Sequence, residues 1–243
     1  MSSPLASSPG PLLTVVLPVF NERNTIDQIL AAVLSVEIDL EVIAVDDYST
    51  DGSRERLQAI SQTEKRVHTL FHEQNRGKGA ALRTGFAAAR GRFVIVQDAD
   101  LEYDPNDFPN LLEPLLADKA DVVFGTRFTT QQYHGGQFVA HSLANRFLTW
   151  LSNRCSGMQL TDMETCYKVF RRDVIQAIHI QENRFGFEPE ITARLAKHRR
   201  NGLSLRIVEV PVRYQRRTKR EGKKIGWKDG MRAVWCILKY NFQ

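Results

Sequence analysis

The sequence predicts an open α/β fold in a single domain, with a mostly parallel sheet flanked by helices. Short apolar runs, typical of strands buried on both faces, alternate with helical patterns over the first half of the chain. Polar segments rich in acids follow several of these runs directly. Hydrophobic residues make up 42% of the 243 residues, which is enough for a sizeable core. Alternation of this kind gives parallel strands joined by right-handed crossovers.

Strand and helix alternate as far as residue 124. The predicted strands are residues 12–17, 40–45, 67–71, 92–97 and 121–124. The predicted helices begin near residues 24 and 53, follow the glycines of NRGKGAALRTG, and cover residues 105–116. The carboxyl ends of these strands should meet at one edge of the sheet, where open α/β sheets bind ligands.

The regular alternation of strand and helix ends after Thr129. The predicted elements there are a helix over residues 138–153, the irregular segment TDMETCYKVFRRDVI, a helix over 188–198, a strand over 205–210 and an amphipathic helix from Trp227. We divide the chain into a disordered Ser/Pro-rich leader (1–11), the main α/β domain (12–212), and a basic loop with the C-terminal helix (213–243). No apolar run approaches the roughly 20 residues that span a bilayer, so any membrane contact is expected to be peripheral.

Three acids crowd the end of the fourth predicted strand, in VIVQDADLEYDP. Asp98, Asp100 and Glu102 would repel one another and resist burial without a cation. Their oxygen ligands suit Mg²⁺ or Mn²⁺ held jointly with a diphosphate. A DxD pair alone is common and can also be a simple loop, but the apolar strand before it and Glu102 after it favour a metal site.

The segment Asn75–Gly79 matches neither the P-loop nor the GxGxxG pattern. Two glycines allow close backbone approach, and Lys78 adds a cation before a helix N-terminus. An anionic ligand and a tight strand-to-helix turn are both compatible with this segment. Farther along lie Asp162, Glu164 and Lys168. The paired carboxylates there are candidates for a general base or for an acceptor-binding site, and the alternative is a network that orders the loop.

Positive charge is concentrated in one stretch of a chain with a net charge of +5. It comprises Arg213, Arg216, Arg217, Lys219, Arg220, Lys223, Lys224 and Lys228. Such a run indicates phosphate, nucleic acid or an anionic membrane surface, or else a solvated loop. A nucleic-acid module is disfavoured because the run has no interleaved stacking aromatics apart from Tyr214 near its start and Trp227 near its end. In the last helix, Trp227, Trp235 and neighbouring apolar residues are compatible with an interfacial helix or with ordinary packing.

The three cysteines and six histidines show no metal-ligand or disulfide spacing. Neither a zinc site nor a serine–histidine–aspartate triad is therefore expected. The scattered, odd number of cysteines indicates a reducing compartment.

In order along the chain, PVFNE, VDDYSTDGS, NRGKGAALRTG, QDADLEYDP and GTR resemble family 2 glycosyltransferases with the GT-A fold. The likeness is greatest to the branch that contains dolichol-phosphate mannose synthase and polyprenyl-phosphate glucosyltransferases. TDMETCYKVFRRDVI and RRTKREGKKIGWKDG extend it over nearly everything after residue 12.

The resemblance implies roles for individual residues. The nucleotide-sugar site would comprise Pro18, Val19, Phe20, Glu22, Asp47, Lys78, Asp98 and Ala99, with Asp47 accepting a hydrogen bond from the base and Asp98 on the ribose or sugar side. Asp100 and Glu102 would carry the Mg²⁺ or Mn²⁺, although many relatives have Gln in place of Glu102. Arg127 would lie near a phosphate. Arg217 and Lys223 would belong to a mobile loop that grips phosphate, and the catalytic set would be Asp98, Asp100, Arg127, Arg217 and Lys223.

The implied reaction is inverting transfer of mannose or glucose from a nucleotide-sugar to a polyprenyl phosphate. This acceptor is largely ionised already, because the second pKa of a phosphate monoester is about 6, so a strong base is dispensable. The alternative is a sugar hydroxyl acceptor, which would need Asp162 or Glu164 as base. The expected location is the cytoplasmic face of a membrane, bound peripherally through the C-terminal helix, the basic loop, a membrane-protein partner or self-association.

Overall fold

The computed structural model describes residues 10–128, 138–215 and 227–243. The strands in these residues are β1 Leu13–Val19, β2 Leu40–Asp46, β3 Val67–Phe71, β4 Phe93–Val96, β5 Val122–Thr126, β6 Lys168–Arg171, β7 Arg199–Arg200, β8 Leu203–Ser204 and β9 Ile207–Pro211. The α-helices are α1 Ile26–Leu34, α2 Ser53–Thr63, α3 Lys78–Ala88, α4 Phe108–Leu116, α5 Phe138–Ser156, α6 Arg172–Ala177, α7 Phe187–Lys197 and α8 Trp227–Phe242. A 3₁₀ turn, Pro105–Asp107, precedes α4.

A seven-stranded sheet in the order β3-β2-β1-β4-β6-β5-β9 forms the centre of the molecule. The pairs β3–β2, β2–β1, β1–β4 and β5–β9 are parallel, and helices cover the sheet, as the sequence predicted. The strands β1, β2, β4 and β5 are almost wholly buried because both faces of the sheet are covered. Every residue of β2 is buried, including Glu41 and Asp46.

One prediction about this sheet is wrong. The segment after Thr161 was expected to be irregular, but it contains β6, which lies antiparallel between β4 and β5, and then α6. The four residues of β6 are too few for a periodicity to show in the sequence, and two of them are Lys and Arg. Their charge is compatible with burial because their neighbours in the fold supply acceptors, among them the backbone oxygens of Met163 and Thr165 for Lys168.

The strand order reverses direction beside β1. From β1 the chain proceeds outward to β2 and β3, and then returns to the other side of β1 as β4. In open α/β sheets this arrangement leaves a crevice at the carboxyl ends of the strands on either side of the reversal. The polar segments after β1, β2 and β4 therefore surround one crevice.

The C-terminal half adds a layer of helices. Helices α5, α7 and α8 pack against one another, and α8 buries Ala233, Cys236, Ile237 and Tyr240. Within the described ranges, no helix is both long enough and apolar enough to cross a membrane.

Candidate active site

Backbone hydrogen bonds bring the ends of three strands together. Asp47 N donates to Val19 O over 2.8 Å, and Gln97 N donates to Val16 O over 3.0 Å. Side chains join the same loops, since Ser49 Oγ accepts from Asn21 N at 2.9 Å. The segments PVFNE, DDYSTD and QDADLE therefore form adjoining walls of the crevice, as the sequence predicted.

Each of these three loops contains a residue other than glycine with a positive φ. The residues are Asn21 (54°), Tyr48 (66°) and Leu101 (62°), and the described part of the chain has two others, Asp118 and Asn201. This conformation is uncommon for L-residues and is unfavourable for bulky ones such as Tyr and Leu. Backbone strain is thus concentrated in the loops that line the crevice, which is typical of functional sites.

Lys78 lies between two carboxylates from distant parts of the chain. Its Nζ is 2.9 Å from Asp98 Oδ2 and 3.1 Å from Glu188 Oε1. Because both neighbours are anionic, they raise the pKa of the Lys78 ammonium well above its ordinary value despite its burial. Lys78 and Asp98 are among the residues predicted from the sequence for this site, whereas Glu188, buried at the start of α7, is not. Its spacing from Ile191 and Leu195, three and seven residues ahead on the same helix face, is the signal that would have found it.

The Asp100 carboxylate lies in an environment that disfavours its negative charge. Burial, together with the nearby charges of Asp98 and Glu102, raises its pKa to about 7. Glu102 Oε2 accepts from Tyr214 Oη at 3.0 Å, and Tyr214 pairs with Tyr103 in an isolated antiparallel bridge. The strand-end acids and the segment at Tyr214 therefore meet in the fold, which the sequence did not predict.

These carboxylates fit a divalent cation. Their mutual repulsion is what a hard cation relieves, and oxygen is the ligand type that Mg²⁺ and Mn²⁺ take. Across the described ranges, no group of three acidic, histidine or cysteine side chains is arranged to hold a metal by itself. Asp100 and Glu102 would therefore share the ion with oxygens from a bound diphosphate or water.

Asp47 is buried and accepts three hydrogen bonds from the protein. His72 Nδ1 lies 2.7 Å from Oδ1, Arg76 N donates over 2.8 Å, and Gly77 N donates to Oδ2 over 2.6 Å. The carboxylate thus fixes the start of α3 against the end of β2. A base contact, as predicted for this residue, would add to these bonds.

The two glycines around Lys78 are explained by close packing against the backbone. A Cβ atom added to Gly77 would lie 2.3 Å from Asn183 O, and one added to Gly79 would lie 2.2 Å from Glu182 O. Gly77 also has a φ of +94°. Close approach of the backbone at residues 182–183 accounts for both glycines, and the positive φ of Gly77 fits a tight turn before α3. Lys78 meanwhile pairs with Asp98.

Arg127 is held in a fixed orientation beside these acids. Its Nε and Nη2 donate to Asp162 Oδ2 and Oδ1 over 2.6 and 2.7 Å, and Asn145 Nδ2 donates to the same carboxylate over 2.9 Å. The guanidinium carbon lies 5.1 Å from the centre of the Tyr214 ring. Although burial acts in the opposite direction, the Arg127 charge lowers the pKa of Asp162.

The carboxyl group of Glu164 keeps its proton to a higher pH than that of an ordinary glutamic acid. Burial and the charge of Glu188 raise its pKa to about 8, and its Oε1 has no hydrogen-bond partner among the described residues. Lys168, fully buried, donates to the backbone oxygens of Met163 and Thr165. The Asp162 and Lys168 contacts fit the loop-ordering interpretation of this segment, whereas Glu164 retains an unpartnered oxygen.

The remaining predicted residues fall into two groups. Pro18, Val19, Phe20 and Glu22 lie at the end of β1 and in the loop after it, and Ala99 is buried between Asp98 and Asp100. The structure thus brings the predicted residues from Pro18 to Arg127 to one edge of the sheet; their roles stay predictions. Arg217 and Lys223 lie outside the described residues.

The amino-acid sequence is similar to those of known transferases. An undecaprenyl-phosphate mannosyltransferase of Micrococcus luteus is 30% identical over 221 residues, which cover 87% of this chain and 86% of that protein. An undecaprenyl-phosphate 4-deoxy-4-formamido-L-arabinose transferase of Edwardsiella ictaluri is 31% identical over 216 residues, which cover 87% of this chain and 62% of that protein.

Solved structures show the same fold. Glucosyl-3-phosphoglycerate synthase from Mycobacterium tuberculosis, in complex with Mn²⁺, UDP and phosphoglyceric acid, superposes with a TM-score of 0.72 at 21% identity. The match covers 96% of this chain and 79% of that one. Mannosyl-3-phosphoglycerate synthase from Rubrobacter xylanophilus superposes with a TM-score of 0.68 at 18% identity, covering 95% and 72%.

The family model described as glycosyl transferase family 2 matches residues 14–178, which include the three strand-end loops, Arg127 and the Asp162 segment. The chain is therefore a glycosyltransferase that belongs to family 2.

Proposed function

We propose that the protein transfers a hexosyl group, mannose or glucose, from a nucleoside diphosphate sugar to a polyprenyl phosphate, with inversion at the anomeric carbon. The observation that carries this proposal is the fixed cation Arg127 beside the acids that follow β4. A crevice with carboxylates on one side and an oriented guanidinium on the other suits two phosphate-bearing substrates. The names of the related proteins, both of which act on undecaprenyl phosphate, support the same acceptor class.

The donor is assigned to the ends of β1, β2 and β4. Pro18, Val19, Phe20 and Glu22 would line the nucleotide pocket, and Asp47 would accept a hydrogen bond from the base. Asp98 and Lys78, joined at 2.9 Å, would face the ribose or the sugar. The ion pair would hold the Asp98 carboxylate in place to accept hydrogen bonds from the donor hydroxyls.

A divalent cation fits Asp100 and Glu102, as described above. When bound, it would neutralise the diphosphate and so stabilise its departure as a leaving group. Tyr214 orients Glu102 through its hydroxyl and supports Arg127 through its ring. Arg127 itself is assigned to the acceptor phosphate, where its remaining N–H donors would hold the attacking oxygen in line.

The state of the nearby acids favours a phosphate acceptor over a sugar hydroxyl. Asp162 accepts from Arg127 and Asn145 and has a lowered pKa, so it is a poor general base. Glu164, with a pKa of about 8, is mostly protonated at neutral pH. A lipid monophosphate needs neither, because it is already ionised.

The test is transfer in vitro from GDP-mannose and from UDP-glucose, with Mn²⁺, to a short-chain polyprenyl phosphate and to neutral glycosides. Transfer to the phosphate is expected, and Glu164→Gln should retain most of it. If a neutral glycoside is the better acceptor and Glu164→Gln abolishes that transfer, the hydroxyl-acceptor alternative replaces this proposal. Residence on the cytoplasmic face of a membrane stays a prediction.

A further inference from the structure

The Glu188 carboxylate has hydrogen-bonding capacity that the protein does not use. Within the described ranges, its one hydrogen-bond partner is Lys78 Nζ at 3.1 Å, although a carboxylate can accept about four such bonds. The same ammonium lies 2.9 Å from Asp98 Oδ2. Exposure falls from 22% at the Asp98 side chain through 16% at Lys78 to 8% at Glu188, so these three groups extend from the mouth of the crevice inward. Glu188 is therefore an acceptor beside the residues assigned to the donor.

The carboxyl group of Glu164 is incompletely bonded as well. Its Oε1 is buried and has no hydrogen-bond partner among the described residues, while the residue as a whole is half-buried. A buried polar atom in this state is unfavourable until a ligand or a water molecule supplies a partner. The backbone on both sides of Glu164 is fixed, because Lys168 Nζ donates to the oxygens of Met163 and Thr165. The carboxyl group is thus held in place with one oxygen unused.

The two carboxyl groups differ in what they offer a ligand. Burial, and then the charge of Glu188, raise the pKa of Glu164 to about 8, while Lys168 and Arg127 act in the opposite direction. At neutral pH the Glu164 carboxyl is mostly protonated, so it can donate one hydrogen bond. The Glu188 carboxylate, paired with Lys78, can only accept. A donor next to an acceptor is the arrangement that suits hydroxyl groups.

These groups lie where the sugar must lie in the proposed reaction. The anomeric carbon is placed between the departing diphosphate and the incoming phosphate oxygen, because the displacement proceeds in line. Glu188 adjoins the donor side through its bond to Lys78. Glu164 adjoins the acceptor side, since it is two residues from Asp162, the partner of Arg127. A hexose that spans the two sides would bring hydroxyl groups to both carboxyl groups.

We infer that Glu188 and Glu164 bind hydroxyl groups of the transferred hexose, Glu188 as an acceptor and Glu164 as a donor. The inference rests on the proposed function and identifies the side chains that select the donor sugar. A sugar that lacks one of these hydroxyl groups would leave a buried carboxyl group unpaired, and such sites discriminate strongly against the analogue. Lys78 is then a positioning residue, since it holds Glu188 and Asp98 on either side of one ammonium group.

The test is calorimetry of nucleoside diphosphate sugars in the presence of Mn²⁺ and without any acceptor. The probes are GDP-mannose, UDP-glucose and UDP-galactose, the free diphosphates, and the monodeoxy analogues of whichever sugar binds most tightly. The variants are Glu188→Ala, Glu164→Leu and Glu164→Gln. The matched control is Glu41→Gln, which alters a buried carboxylate paired with Arg90 at the start of β2, away from the carboxyl ends of the strands.

We expect wild type to bind at least one deoxy analogue about tenfold or more weakly than the parent sugar, and this measurement needs no variant. Glu188→Ala and Glu164→Leu should each lose about tenfold in affinity for the parent and no longer distinguish it from one of the analogues. Both should bind the free diphosphate within about twofold of wild type. Glu164→Gln should stay within about threefold for the parent, because an amide donates and accepts like a neutral carboxyl group. Glu41→Gln should match wild type throughout.

Three outcomes overturn the inference. In the first, wild type binds every deoxy analogue as well as the parent, or binds no sugar more tightly than the free diphosphate. In the second, Glu188→Ala and Glu164→Leu keep full discrimination among the analogues, which assigns the unused oxygen of Glu164 to a water molecule. In the third, both variants lose as much affinity for the free diphosphate as for the sugar, which assigns the two residues to loop structure.

Failure of the proposed function gives a different result. Donor affinity is measured without an acceptor, so the sugar-specific losses would remain although no polyprenyl phosphate is glycosylated. If Glu164→Gln binds the donor normally but abolishes transfer to a neutral glycoside, Glu164 acts as a base and the hydroxyl-acceptor alternative applies. That result would overturn the role of Glu164 as a hydrogen-bond donor to the sugar.

Discussion

Arg127 and Asp162 form a bidentate ion pair in which Nε–Oδ2 is 2.6 Å and Nη2–Oδ1 is 2.7 Å. The Asp162 side chain is fully buried, whereas that of Arg127 is 15% exposed. The pair therefore has one end anchored in the protein and one end at the crevice. Such an arrangement fixes the orientation of the guanidinium and leaves N–H donors that Asp162 does not use.

We expect Arg127→Lys to lower transfer to a polyprenyl phosphate by about 10- to 100-fold, because Lys cannot maintain two parallel hydrogen bonds and also face a phosphate. Donor affinity by calorimetry should stay near wild type. The matched control is Arg194→Lys, which alters another partly buried arginine–carboxylate pair, with Glu190 on α7. Equal losses in both variants would contradict a specific role for Arg127.

Asp100→Asn should abolish metal-dependent binding of the nucleoside diphosphate and reduce turnover by at least about 100-fold, since an amide is a weaker ligand for a hard cation. The fold should stay intact, because the change removes a carboxylate that its neighbours repel. Asp104→Asn is the control in the same loop, where Asp104 caps the 3₁₀ turn. Full activity of Asp100→Asn, or of wild type with excess chelator, would disprove the metal site.

Asp47→Ala should weaken binding of the free nucleoside diphosphate as well as of the nucleotide-sugar. The substitution removes the predicted base contact and the acceptor for Arg76 N and Gly77 N. Thr84→Val is the control, since it removes a partner of His72 at 3.0 Å without touching Asp47. Calorimetry that finds unchanged nucleotide affinity in Asp47→Ala would assign the residue to loop structure alone.

Two glycine substitutions should have opposite effects on stability. Gly79→Ala is expected to lower the free energy of unfolding by about 1–3 kcal/mol or more, because the new Cβ would meet the backbone oxygen of Glu182. Gly230→Ala lies in α8 with open space around it and should raise that free energy by up to about 1 kcal/mol. Denaturant titrations measure both, and a destabilised Gly230→Ala would mean that this part of α8 is not helical.

Asp121 should make stability depend on pH at the acid end. Arg206 and other arginines lower its pKa to about 2 in the folded state, below the ordinary value of 3.8. Its contribution, about 2 kcal/mol, is therefore complete above pH 4 and is lost as pH falls from 4 to 2. Asp121→Asn should be less stable than wild type at pH 6, and the difference should shrink toward pH 2. A difference that is constant over this range would contradict the linkage.

The sequence by itself determined most of the sheet and one side of the crevice. Short runs made mostly of apolar residues, such as 40–45, mark strands that must be covered on both faces, and the helices between them force parallel pairing. Parallel strands then bring their carboxyl ends to one edge. Asp47 and Asp98 could therefore be assigned to one crevice from local pattern alone, whereas Lys78 was assigned to it through the family resemblance.

The tertiary structure decided what pairs across long separations. Strand β6 is short and charged, so that its place between β4 and β5 depends on partners far away in the chain. Glu188 meets Lys78 across 110 residues, and Asp162 meets Arg127 across 35. No local periodicity records such contacts, because they arise from the packing of whole elements. The exposed apolar side chains on α5 could not be recognised from the sequence for the same reason. An apolar residue at helical spacing is expected to lie in the core until the fold shows which side of the helix is covered.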